Sequence, residues 1–258
     1  MTTHTEVILK TDGLSKHFGG LIAVDNLSIS VHAGQIVGLI GPNGAGKTTA
    51  FNLISGVTAP TGGEIFLRDH CITSHPSHQV ALLGLRRTFQ EIHLFRGLTV
   101  LQNVKSAAYR QMTYSLLDAI TWSRKLRDQE QDVIAQAMAL LERFGLAEFA
   151  MDPADSLPYG MQKRLEIVKA VVTNPTMLLL DEPAAGLNTQ ETIELMELIC
   201  KIRDEMNMTI LIIEHSMEII GGICDHVIVM NFGTKLAEGS WDEVHKNEEV
   251  IRCYLGVD

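Results

Sequence analysis

Apolar and polar positions alternate through residues 6–31, with Val7 and Leu9 before the run Phe18-Gly19-Gly20 and Leu27, Ile29 and Val31 after it. A period of two around a glycine turn predicts two half-buried strands, a β-rich arm. The pattern then changes. Ile36-Val37-Gly38-Leu39-Ile40 is apolar without interruption and runs into a glycine-rich loop, after which Phe51, Leu53 and Ile54 begin a helical spacing. Two further runs of the same kind, Met177-Leu178-Leu179-Leu180 and Thr209-Ile210-Leu211-Ile212-Ile213, are separated by a helix-like stretch over residues 191–203. Strongly apolar strands joined through helices predict a parallel sheet covered on both faces, hence an α/β fold. Between residues 91 and 172 strand signals fade, and Val133, Ile134, Ala137, Leu140, Leu141 and Phe144 recur at helical spacing, which predicts a helical insertion.

Composition narrows the classes. With 46% hydrophobic and 20% charged residues in a chain of 258, there is apolar material for a sizeable core, and global disorder is excluded. The longest apolar runs are strand-sized, far short of the roughly 18 residues that span a bilayer. The 21 basic against 31 acidic residues give a net charge of −10, which disfavours nucleic acid as a partner. Residues 1–11 show no basic stretch followed by an apolar one, so no secretory signal is expected and a cytoplasmic location is. Cys71, Cys200, Cys224 and Cys253 are too scattered for a disulfide framework and read as free thiols. His70, Cys71, His75 and His78 lie close together but match no standard zinc spacing.

The glycine loop carries chemistry. Gly41-Pro42-Asn43-Gly44-Ala45-Gly46-Lys47-Thr48-Thr49 fits the P-loop pattern and stands between a buried strand and a helix, the context that pattern needs. Glycines let successive N–H groups turn toward phosphates, and the helix adds its positive end. Lys47 suits the β- and γ-phosphates, and the Thr48 hydroxyl suits Mg²⁺. A second centre is expected at the end of a neighbouring buried strand. There Asp181 is suited to hold the metal through its water shell, and Glu182 to deprotonate an attacking water.

Taken in order, the P-loop, Thr88-Phe89-Gln90, Leu179-Leu180-Asp181-Glu182 and Glu214-His215 resemble the nucleotide-binding subunit of an ABC transporter over nearly the whole chain. The resemblance implies a P-loop NTPase (RecA-like) core with an antiparallel β arm and a helical insertion subdomain. It divides one ATPase domain, 1–258, into core and arm (1–90 and 173–235), helical subdomain (91–172) and a short helical tail (236–258). It implies ATP and Mg²⁺, with Phe18 stacked on adenine, Gln90 on the metal and His215 as the switch histidine beside the base. The run Leu157-Pro158-Tyr159-Gly160-Met161 takes the place of the family's signature but keeps only Leu157 and Gly160. Pro158 stands where a serine reaches the partner subunit's nucleotide, so a weakened composite site built from the N–H groups around Tyr159 and Gly160 is expected.

Further runs, among them Phe18-Gly19-Gly20-Leu21, Arg87-Thr88-Phe89-Gln90 and Ala184-Ala185-Gly186-Leu187-Asn188, look most like the ATPases of branched-chain amino acid importers. The implied partners are a second ATPase subunit, identical or paralogous, transmembrane permease subunits and, indirectly, a solute-binding protein, with the chain peripheral on the inner face of the cell membrane. An apolar loop, Glu91-Ile92-His93-Leu94-Phe95, with Tyr109, Met112, Tyr114 and Trp122 beyond it, is either part of the helical core or an exposed patch that meets a permease. A urea or amide importer, a lipopolysaccharide exporter and a soluble ABC mechanoenzyme remain open alternatives.

Overall fold

A computed structural model describes residues 6–109 and 124–255. Contacts divide the chain into two compact units, residues 1–90 with 176–258, and residues 91–175.

The first unit holds two sheets. Strands β1 (Val7–Phe18) and β2 (Leu21–His32) pair antiparallel around Gly19-Gly20, with Phe18 opposite Leu21. The chain continues through β3 (Ile36–Ile40), helix α1 (Lys47–Ile54), β4 (Gly62–Leu67), β5 (His70–Cys71), α2 (Ser77–Leu82) and β6 (Leu85–Arg87). β4 joins the free edge of β1 and β5 joins β4, giving an antiparallel sheet ordered β2-β1-β4-β5. The second sheet collects β3, β6 and four strands from later in the chain: β7 (Met177–Asp181), β8 (Thr209–Ile213), β9 (His226–Asn231) and β10 (Thr234–Gly239). Its order is β10-β9-β3-β8-β7-β6, parallel throughout except for β10 at the edge.

β3, β7 and β8 are buried at every residue, as strands covered on both faces must be. One apolar core joins inward positions of the arm (Leu9, Leu14, Leu27, Ile29) to Ala50, Phe51 and Ile54 of α1 and to one face of the mixed sheet (Leu39, Leu179, Leu211, Ile228). Each buried Leu, Ile or Phe of this set contributes about 1.5–3 kcal/mol, and the packing anchors α1, into which the glycine loop leads.

The second unit contains α3 (Val100–Ala108), α4 (Arg124–Arg143) and α5 (Tyr159–Val171), with α3 packed on both others. Thr99 and Gln102 form a capping box at the start of α3. Asn103 of α3 is fully buried; it accepts from the Phe95 N–H at 2.8 Å and donates to the carbonyls of Phe95, Leu98 and Thr99. Those bonds satisfy an otherwise costly buried amide and fix the loop that precedes the helix. Met112, Tyr114 and Trp122 lie outside the described residues.

The remaining helices belong to the first unit: α6 (Thr189–Met206), α7 (Met217–Ile223), α8 (Trp241–Val244) and α9 (Glu248–Leu255). Asn188 starts α6 in a capping box with Glu191, accepting from its N–H at 2.9 Å. The helical tail expected from residue 236 begins instead at Trp241, because residues 234–239 pair with β9 as an edge strand. Among the described residues no helix is long and apolar enough to cross a membrane.

Candidate functional site

Strands β3, β8, β7 and β6 are adjacent and parallel, so their C-terminal ends open on one edge of the sheet. That edge is where ligands bind in open α/β sheets. The sequence-predicted loop from Gly41 to Thr49 leaves β3 there. Gly41 (φ +148°) and Gly46 (φ +98°) are close-packed against backbone: a Cβ on Gly41 would lie 2.1 Å from the Met230 carbonyl oxygen, and one on Gly46 would lie 2.3 Å from that of Ala23. Gly44 (φ +82°) faces open space. Ala45 is buried and accepts from the Gly233 N–H at 3.0 Å, while Gly233 in turn accepts from Asp25 at 2.8 Å. Asn43 is exposed, Pro42 and Thr49 are half-buried, and Thr48 is exposed on the first turn of α1. Lys47 is buried and donates its ammonium to the carbonyls of Gly41 (2.7 Å) and Pro42 (3.0 Å). Burial pulls its pKa down, against the opposing pull of Glu182 and Asp181.

Glu182 follows β7 in a left-handed backbone conformation, φ +47°. Its two oxygens are held from the two strands that flank β7. His215, past the end of β8, brings Nε2 within 2.6 Å of Oε1, and Gln90, past β6, donates Nε2 to Oε2 at 2.8 Å. Asp181 is buried at the end of β7 and pairs with Arg87 of β6, Nη2 to Oδ2 at 2.7 Å. Lys47, Gln90, Asp181, Glu182 and His215 therefore form one constellation.

Three residues of this edge have no role read from the sequence. Glu214 is buried and accepts from the N–H groups of Ala184 (2.9 Å) and His215 (3.2 Å), bracing the turn that carries Glu182. Burial pushes its carboxyl pKa up, with Glu182 adding to the rise and the two N–H groups opposing it. Arg87 is the second. Tyr254 of α9 is the third: burial raises its pKa, and the nearby Gly41 backbone opposes the rise. Arg87 meets Asp181 94 positions further on and Glu214 meets Ala184 30 positions back, and nothing local marks either pairing.

Phe18 ends β1 with 50% of its surface exposed, and Lys16 places its ammonium 5.1 Å from the ring centroid. Tyr159 and Gly160 belong to the second unit, at the first turn of α5. Tyr159 is 46% exposed and Gly160 is buried. Pro158 precedes them as the N-cap without a side-chain hydrogen bond, so the capping that a serine gives is missing.

The chemistry of these groups suits a magnesium nucleotide. Two glycines admit no side chain, the loop ends at a helix N-terminus, and a cation stands within the loop. Thr48, Gln90 and Asp181 offer hard oxygen atoms of the kind Mg²⁺ takes.

Comparison with known proteins agrees. The profile of the ABC transporter family matches residues 24–185. The chain is 46% identical over 252 residues, 98% of its length and 99% of the relative's, to the high-affinity branched-chain amino acid transport ATP-binding protein LivG of Escherichia coli (strain K12). It is 43% identical over 249 residues, 96% of its length and 98% of the relative's, to the protein of like description, BraF, of Pseudomonas aeruginosa. Among solved structures, an ATP-binding cassette of an ABC transporter in its ADP conformation superposes with a TM-score of 0.85 at 31% identity, covering 98% of this chain and all 100% of that one. A nucleotide-free cassette gives 0.83 at 30% identity, covering 96% and 98%. With the fold, the loop geometry and these likenesses in agreement, the chain belongs to the ABC transporter family.

Proposed function

We propose that this chain is the ATP-hydrolysing subunit that powers import of branched-chain amino acids through a membrane transporter. The observation that carries hydrolysis is Glu182 fixed between Gln90 and His215 beside a phosphate loop. The full-length likeness to LivG and BraF supports the solute.

The N–H groups of the loop and the first turn of α1 cradle the phosphates, and Lys47 leaves its two carbonyl partners for the β- and γ-oxygens. Phe18, exposed at the tip of the arm, stacks on adenine. Thr48, Gln90 and Asp181 would hold Mg²⁺, which neutralises phosphate charge when bound. Glu182 accepts the proton of the attacking water, and the bonds from His215 and Gln90 set its orientation. Two ATPase subunits sandwich two nucleotides, each site completed by the α5 N-terminus of the other subunit. With proline as N-cap that half is weaker than a serine-capped one.

The permease subunits meet the loop at Phe95. This ring is 56% exposed, and its backbone is pinned by buried Asn103, the combination that a rigid docking surface needs. The subunit then sits peripherally on the inner face of the membrane, with a solute-binding protein reached only through the permease.

A strain deleted for this subunit is the test. Uptake of labelled leucine, isoleucine and valine should fall, and return with the wild-type chain but not with Glu182→Gln. Unchanged uptake of all three would overturn the solute assignment.

A further inference from the structure

Arg87 has no role in the family resemblance, yet it touches every segment that bears a proposed metal donor. Its side chain and that of Asp181 are 6% and 7% exposed, and the two form a 2.7 Å ion pair between neighbouring strands β6 and β7. The second terminal nitrogen, Nη1, donates to Asn52 Oδ1 (2.7 Å) and to Ser55 Oγ (3.1 Å), at the end of the helix whose first turn carries Thr48. Two aromatic rings lie close as well: the guanidinium carbon is 5.7 Å from the Phe51 ring centroid and 5.0 Å from that of Phe89. Gln90 is the next residue after Phe89.

A guanidinium that holds three acceptors, with two aromatic rings beside it, is fixed in place. Buried ion pairs are poor sources of stability, because desolvation cancels much of their attraction, so this one calls for another explanation. We propose that Arg87 is a positioning residue for the metal-nucleotide site: it occupies Oδ2 of Asp181, leaves Oδ1 as the oxygen for a metal-bound water, and sets the spacing of Asp181, Thr48 and Gln90. The inference rests on the reading of Asp181 as the metal-side carboxylate. Lysine is no substitute, since a single ammonium does not reproduce the planar fork that reaches the carboxylate, Asn52 and Ser55 together.

Equilibrium ATP binding in Mg²⁺ and in EDTA, on wild type, Arg87→Lys, Arg87→Gln and Asp181→Asn, tests it, with melting temperatures as the check on folding. Groups that orient a metal ligand typically change metal affinity about 10–100-fold when replaced. The gain in ATP affinity on adding Mg²⁺ should therefore shrink at least tenfold in Arg87→Lys, with affinity in EDTA unchanged. Should Arg87→Gln fail to fold, Arg87→Lys, with its charge retained, is the variant read. A Mg²⁺ gain kept in Arg87→Lys and lost in Asp181→Asn overturns the inference alone, as does equal weakening with and without the metal. A gain kept in Asp181→Asn removes the reading of Asp181, and the inference falls with it.

Discussion

Two glycines of the phosphate loop separate steric from conformational demands. Gly46→Ala places a methyl group 2.3 Å from the Ala23 carbonyl oxygen at φ +98°, whereas Gly44→Ala places it in open space at φ +82°. Left-handed backbone costs an L-residue about 1–2 kcal/mol, and both variants bear that. Gly46→Ala must also move backbone by about an ångström, an overpacking cost of about 1–3 kcal/mol. Alanine restricts the unfolded chain and returns about 0.4–1 kcal/mol to each. The difference between the two is then the overpacking alone. At about 2–4 °C per kcal/mol for a chain of this size, Gly46→Ala should melt roughly 2–12 °C below Gly44→Ala. Thermal unfolding of the nucleotide-free proteins measures this directly, and ATP binding should be impaired more in Gly46→Ala, because Lys47 and Thr48 follow the displaced residue. Equal melting temperatures would refute the reasoning, showing that β2 yields around Ala23 at no cost.

Other consequences are checked as readily. Phe95→Asp should abolish ATP-driven uptake while leaving nucleotide binding by the isolated subunit intact; loss of both would assign Phe95 to the fold instead. Pro158→Ser should raise steady-state ATP turnover by supplying the missing N-cap side chain, and an unchanged rate would show that the capping position does not limit catalysis. Glu214 has its folded pKa raised above the ordinary carboxylate value, chiefly by burial, so the native state binds more protons than the unfolded chain between the two values. Its ionisation thus destabilises the fold as pH rises through that window, and wild type should gain stability relative to Glu214→Gln on acidification from neutrality towards pH 4.5, the ordinary value. A stability difference that does not vary with pH would show that this carboxyl ionises without penalty.

The long apolar strands and the glycine loop were legible in the sequence because each is dictated by neighbours in the chain. β3, β7 and β8 are buried on both faces, so period and composition suffice to find them. β6 is only Leu85, Arg86 and Arg87, and β10 is an edge strand with Thr234, Lys235 and Glu238 among its residues. Such strands exist through pairing with partners, and nothing local marks them. The same holds for side chains. Glu182 stands out as half of an acidic pair after an apolar run, whereas nothing local gives Arg87 a partner, and only the strand order brings Asp181, 94 residues away, beside it.

The order β10-β9-β3-β8-β7-β6 has a consequence for how the protein is made. β3, which leads into the phosphate loop, leaves the ribosome early, but both strands that flank it, β8 and β9, are among the last synthesised. Until about residue 213 has emerged, this apolar strand has two open hydrogen-bonding edges, and until about residue 231 it keeps one. Unpaired apolar edges are templates for association with other chains, so the nascent polypeptide carries this hazard in the strand that leads into the glycine loop. Any truncation before β9 should therefore yield insoluble protein rather than a smaller ATPase.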